Sequence, residues 1–419
     1  VKTVRRRLSE GMLLALALLL AGPALGEEKP RRIRVLATGK DQSTPILATW
    51  FTTEPSTDPV VFPTRVWSGS STTPDDIRRF MRIYFPRSYR DLLEFEFFVL
   101  AQVDMTFFTG EQQKWIYDAL TNYPKGGMND RSIMSTHPWF FGPWMNSIIS
   151  SAFPNDIAAV VRDAEHQESE LGPLIINDDP ALPDIMKSYK QGIEPLFRSY
   201  GGLNTVPKPG SVILSYTKNN VGLGSPVPGQ IAHVFYWDWN ASKTFTFRDM
   251  VYDPFWSCPG SPASNPYTLD IVANIVWFAT GRELPDDPLK VHEYRQVVFD
   301  YNIRRSLVAS LLDFAEMFGA NPSSVYSKLA GVDQAKMDAS GLYLDRDFDG
   351  AYEAMIAATG QLDSVEQEAS KLKGKALTWV YFVEWLTTTG VLLVAGAMIW
   401  TLMVRRALYR EVAVTKWSR

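Results

Sequence analysis

From Lys125 to Trp144 the chain reads KGGMNDRSIMSTHPWFFGPW, a pattern that passes from a turn into a strand and then into a break. Gly126 and Gly127 free the backbone for a tight turn, and Ile133 and Met134 supply a short strand. Ser135-Thr136-His137-Pro138 then interrupts that strand where a helix or loop should begin. In an open α/β sheet such a break marks the carboxyl end of a strand, the edge at which ligands bind. His137 is expected to stand there.

Working outward, Leu93 to Val103 is apolar apart from Glu94, Glu96 and Gln102, as a strand covered on both faces should be, and it runs into Asp104. Thr109 opens a helix with Glu111 and Gln112 in its first turn, and Trp115, Ile116, Ala119 and Leu120 follow at helical spacing. Arg32 to Thr38 is the expected first strand, leading into Gly39-Lys40-Asp41. The Gly-Lys pair is not a phosphate loop, because Arg34 stands where that motif needs its first glycine. Phe51 to Val66, rich in Thr and Pro, reads as a loop entering a short strand, and Thr73 caps a helix through Tyr84. Downstream, Trp144 to Phe153 suggests a short helix. Ser211 to Ser215 and Ile231 to Asp238 suggest strands, and Thr268 to Thr280 a closing helix stopped by Gly281. This alternation predicts a doubly wound, mostly parallel sheet.

These segments together resemble the class I glutamine amidotransferase-like superfamily, and most of all its trehalose-utilisation (ThuA-like) branch. The likeness rests on Phe97 to Asp104, Thr109 to Gln112, Gly126-Gly127, Ile133 to His137, and Asn274 to Gly281. It implies a flavodoxin-like, class I amidotransferase-like α/β domain over residues 33–285. True amidotransferases carry a nucleophilic cysteine at the elbow; here His137 occupies the nearest matching position.

The ends of the chain carry separate signals. Residues 1–26 read as a signal peptide, with Lys2 and Arg5 to Arg7 before an apolar run and Ala24-Leu25-Gly26 as the cleavage site. Residues 377–404 read as a transmembrane helix with Trp379, Tyr381 and Trp385 at its outer interface. The tail at 405–419 begins with Arg405 and Arg406, and by the positive-inside rule it is cytoplasmic. The expectation is a single-pass cell-membrane protein with its N-terminal domain outside. Between the domain and the span, residues 289–376 read as a helical hairpin or coiled-coil stalk. One helix covers Val291 to Phe318, and a second places Phe348, Tyr352, Met355, Thr359, Leu362, Glu366, Ala369, Leu372, Ala376, Trp379 and Val383 along a heptad seam that runs into the span.

A formal net charge of −4 spread along the chain argues against a nucleic-acid binder. With Cys258 as its one cysteine, the chain has no intrachain disulfide. The four histidines show no metal-ligand spacing, and neither a metal nor a cofactor is expected. Asp345 to Gly350 opens like a calcium loop, but Ile356 replaces the acidic twelfth ligand, so a helix cap is the favoured reading. Asn240-Ala241-Ser242 is a glycosylation sequon. Asp41, Asp104, His137 and Asp238, each at or beyond the carboxyl end of an expected strand, make up the expected ligand crevice, with His137 as the catalytic candidate. The favoured function is a membrane-anchored binding or scaffolding protein, recognising a partner protein or a saccharide or self-associating through its stalk. The alternatives are a ThuA-like ectoenzyme acting on carbohydrate through His137 and an aspartate, and a structural subunit of a membrane complex.

Overall fold

The computed structural model describes residues 31–66, 69–130, 144, 146–157, 170–194, 198–200, 205–218, 230–257 and 264–416. Two units divide the chain: Val1–Arg295 with Ser340–Asp349, and Gln296–Ala339 with Gly350–Arg419. His137, Cys258 and the proposed signal peptide lie outside the described residues.

The first unit is built on a sheet whose strands are β1 (Ile33–Lys40), β2 (Thr57–Arg65), β3 (Phe97–Ala101), β4 (Gly126–Asn129), β6 (Glu170–Ile176), β7 (Arg198–Tyr200), β9 (Val212–Lys218), β10 (Gln230–Trp239) and β11 (Ser242–Phe247). Their order is β2-β1-β3-β4-β11-β10-β9-β6-β7, and a separate pair joins β5 (Asn155–Ile157) to β8 (Thr205–Pro207). The five strands β2-β1-β3-β4-β11 are parallel, and from β11 to β7 every pairing is antiparallel. The expected α/β sheet is therefore present, with its parallel character confined to one half.

Both faces of the parallel half are covered. Leu36, Phe98 and Leu100 pack with Ile77 and Met81 of α2 (Pro74–Tyr84) and with Ile116, Ala119 and Leu120 of α3 (Gly110–Asn122). The other face meets α1 (Thr44–Thr53) and α4 (Thr268–Ala279), which contact each other. Capping boxes fix two starts: Thr73 with Asp76 opens α2, and Thr109 with Gln112 opens α3.

Three local expectations need correction. Gly126 and Gly127 are not a turn; they begin β4, four residues long and wholly buried. A Cβ on Gly126 would stand 2.4 Å from Phe97 Cδ2 and 2.7 Å from Ala279 Cβ, so glycine is there for close packing between strand and helix. Part of the expected loop at Phe51 to Val66 is α1, and most of the rest is β2, which tolerates Pro59 and Pro63 because among the described residues it is an edge strand paired only with β1. Asp238 does end a strand, but β10 runs antiparallel, which sends Asp238 to the opposite sheet edge from Asp41 and Asp104.

The second unit holds parts of three helices, α5 (Pro288–Met317), α6 (Ser323–Leu344) and α7 (Phe348–Lys416), where two helices in a hairpin or coiled-coil stalk were expected. Its buried residues include Val308, Leu312, Val325, Leu329 and Val332, and along α7 Ala351, Met355, Ala358, Leu362, Val365, Ala369 and Ala376. That heptad seam shares Met355, Leu362, Ala369 and Ala376 with the expectation. It uses Ala351, Ala358 and Val365 in place of Tyr352, Thr359 and Glu366. Glu366 faces outward enough to pair with Arg304. Further along, α7 contains a stretch long and apolar enough to cross a membrane, with none of it buried.

Candidate functional site

The order β2-β1-β3-β4-β11 reverses between β1 and β3, and in such sheets ligands bind where the carboxyl ends diverge. Lys40 ends β1 and, past a one-residue shift in register after Gly39, lies opposite Arg65 at the end of β2. Lys40 is 8% exposed, its Nζ lies 3.5 Å from Tyr252 Oη, and the ammonium sits 4.9 Å from the centre of that ring. Burial lowers the Lys40 pKa below its ordinary value, with Arg65 adding to the effect and Asp41 and Asp130 opposing it. Arg65 is lowered as well, again mainly by burial, against the pull of Asp104, Asp130 and Tyr252.

The carboxylates at this edge serve the backbone. Asp130, directly after β4 and fully buried, accepts from the Gln102 N–H at 2.7 Å and the Val251 N–H at 3.2 Å. Gln102 follows β3 with φ 56°, a left-handed conformation that is uncommon for a residue with a side chain. Asp104 accepts from Thr106 N–H at 2.9 Å and Thr106 Oγ at 2.7 Å, capping a 3₁₀ turn at Met105–Phe107. Asp41 accepts from Gln42 N–H at 2.8 Å.

Beside these groups α1 begins. Its N-cap residue Ser43 makes no capping bond, and Ser43 Oγ is buried without a hydrogen-bond partner among the described residues. A helix N-terminus carries partial positive charge, although Pro45 in the first turn of α1 has no N–H to offer. One edge therefore gathers a helix N-terminus, an ammonium, a guanidinium and an unsatisfied hydroxyl.

Of the expected crevice residues, Asp41 and Asp104 stand at this edge. Asp238 is exposed at the other, 3.4 Å from Lys243. Asn240 lies exposed in the turn between β10 and β11 with φ 48°. Arg65, Ser43 and Asp130 were not singled out from the sequence, and Lys40 was noted only in the Gly-Lys pair that fails as a phosphate loop. Asp130 could have been, had Gly126-Gly127-Met128-Asn129 been taken as the strand, since the acid follows its end. His233, at the amino end of β10, lies in a buried line: Nδ1 is 3.0 Å from Ser215 Oγ and Nε2 is 2.8 Å from Asp249 Oδ2, with all three residues sealed from solvent. Ser215 Oγ also accepts from Val234 N–H at 3.2 Å, which fits a structural relay under the strands. Among the described residues no group of three or more His, Cys, Asp or Glu could hold a metal ion.

No protein-family profile matches the chain, and no curated protein does. Among solved structures it is similar to the cytoplasmic protein STM3548 from Salmonella typhimurium, at 12% identity and a TM-score of 0.40, covering 59% of this chain and 99% of that one. The cytoplasmic protein STM1381 from Salmonella typhimurium LT2 is similar at 12% identity and a TM-score of 0.39, with the same coverage. No family match accompanies the amidotransferase-like or ThuA-like resemblance.

Proposed function

We propose that this chain is a membrane-anchored binding protein whose α/β domain faces outward and holds an anionic, hydroxyl-rich ligand such as an acidic saccharide at the β1/β3 switch point. The single observation that carries this reading is the convergence of Lys40, Arg65 and the N-terminus of α1 on one edge, with Ser43 Oγ buried and unsatisfied beside them. Asp130, Asp104 and Asp41 spend acceptors on main-chain N–H groups, so they shape the edge as well as charge it. A carboxylate or phosphate of the ligand would meet the cations and the positive end of the α1 dipole. Its hydroxyls would meet Asp104, both of whose bonds to Thr106 go to one carboxylate oxygen.

Binding is favoured over catalysis because the Ser215–His233–Asp249 line is sealed from solvent. The ectoenzyme alternative rests on His137. Anchoring is supported by the apolar stretch of α7, and the outward orientation by Arg405, Arg406 and Arg410 immediately after it. The test is calorimetric titration of the full chain in lipid nanodiscs with galacturonate, galactose and phosphate. Galacturonate should bind, galactose far more weakly, and Lys40→Gln with Arg65→Gln should remove the difference. Equal affinity for galactose and galacturonate, or turnover of either sugar, would contradict the reading.

A further inference from the structure

A second recess lies in the same unit at the amino end of the parallel strands. It is a pocket of about 240 Å³ lined by Ser56, Trp277, Arg282, Glu283, Tyr343, Leu344 and Arg346. Ser56 immediately precedes β2 and its carbonyl accepts from the Ile33 N–H at the start of β1. The eight residues of β1, at about 3.3 Å each, therefore put this pocket roughly 25 Å from the Lys40 edge.

The inner polar atoms are already engaged. Trp277 Nε1 donates to Ser56 Oγ at 2.7 Å, and Ser56 Oγ donates to Glu54 Oε1 at 2.6 Å. Tyr343 Oη donates to Glu54 Oε2 at 3.0 Å and accepts from Arg295 Nη2 at 2.9 Å. Arg295 in turn donates to Glu54 at 2.7 Å and to Asp270 at 3.0 Å. This buried network fixes the Trp277 and Tyr343 rings, 6.0 Å apart and tilted by 57°. Tyr294 stacks on Tyr343 and Phe348 on Trp277, so both rings are almost sealed and floor the recess, while the half-buried Leu344 gives it open apolar area.

The rim is cationic. Arg282 gives one Nη2–H to the Arg31 carbonyl, and Arg346 gives Nη1–H and Nη2–H to the carbonyls of Glu283 and Leu284, each at 3.2 Å. A guanidinium has five N–H donors, so both retain donors beyond these. Glu283, 3.7 Å from Arg346, is 90% exposed and pairs only at the surface.

Arg346 also occupies an unusual place. The Arg346 N–H bonds the Tyr343 carbonyl and the Asp347 N–H bonds the Leu342 carbonyl, a Schellman ending of α6 with Arg346 at φ 64°. Gly281 and Gly319, at φ 75° and 82°, take positive φ near the ends of α4 and α5, so this chain uses glycine at comparable positions. Arginine here places a guanidinium at the rim in spite of the backbone cost.

We propose that this pocket binds a small aryl carboxylate, its ring against Leu344 over the buried Trp277 and Tyr343, and its carboxylate on Arg282 and Arg346. The volume suits a single ring, and two guanidiniums suit one planar anion. The probe is phenylacetate, followed by saturation-transfer NMR on the full chain in detergent. Arg282→Gln removes a rim cation, Leu344→Trp fills the recess, and Lys40→Gln tests independence from the far edge. Wild type and Lys40→Gln should bind alike, with Arg282→Gln weaker by about tenfold or more. Leu344→Trp, with an unchanged circular dichroism spectrum, should show no transfer. No transfer in wild type, equal transfer in Arg282→Gln and Leu344→Trp, or loss only in Lys40→Gln would overturn the proposal.

Discussion

Asp130 Oδ1 accepts the main-chain N–H of Gln102 at 2.7 Å, tying the end of β4 to a residue held at φ 56° just past β3. Its second oxygen holds Val251 N–H at 3.2 Å. Because Asp130 is fully buried, Asp130→Ala strands two amides and should cost about 2–4 kcal/mol locally. Hydrogen exchange at Gln102 and Val251 is the direct measure. Both amides should lose protection together, whereas protection equal to wild type would show that the tie is dispensable.

Lys40 gives the edge a pH signature. Its pKa is lowered from 10.5, chiefly by burial, so in the unfolded chain the ammonium persists to higher pH than in the folded one. Between the folded value and 10.5 the unfolded state binds more protons, and the contribution of Lys40 to stability rises with pH across that window. Anion affinity runs the other way: it should fall as pH rises, with a midpoint below 10.5. Lys40→Gln should flatten that part of the profile in a calorimetric series.

Gly126 tests the packing between β4 and α4. Gly126→Val places methyls against Phe97 and Ala279, already within 2.4 Å and 2.7 Å of an ideal Cβ. Overpacking of this kind costs about 1–3 kcal/mol, and the apparent melting temperature of the full chain should drop by several degrees. A matching loss from Gly110→Ala, where a Cβ meets nothing, would contradict the steric account.

In the helical unit Asp333 accepts from Arg305 Nε and Nη2 at 3.0 Å and 2.8 Å and from Tyr301 Oη at 2.8 Å. Burial pushes its pKa up, but the hydrogen bonds from Arg305 and Tyr301 prevail and hold it below 3.8. The resulting stability is present above 3.8 and lost as pH falls through the folded value. Asp333→Asn should cost about 1 kcal/mol, since the pair is partly solvent-screened, and should remove that acid-side loss. Urea titration of the helical signal at pH 7 and pH 3 measures both effects.

Legibility followed the range of the interactions. β3, α2, α3 and α4 could be read because apolar spacing and capping residues are local. α1 and β2 were hidden by Pro45, Pro59 and Pro63, whose tolerance depends on a helix start and an edge position. β4 was missed because Gly126 was read as a turn, when its reason lies in Phe97 and in Ala279, more than 150 residues away, and the expected strand at Ile133-Met134 lies outside the described residues. Asp238 went to the wrong edge because strand direction is set by long-range pairing. Along α7 the bulky Tyr352 was preferred to Ala351, although small residues suit a tight seam. Lys40 and Arg65 became a pair only through the β1–β2 register.

The most direct measurement on the central claim is an anomalous-difference map from crystals of the full chain soaked in selenate. The account predicts a selenium peak within hydrogen-bonding range of Ser43 Oγ and Lys40 Nζ at the start of α1, abolished in Lys40→Gln with Arg65→Gln. Selenate found only on exposed arginines elsewhere, with the β1/β3 edge empty, would contradict it.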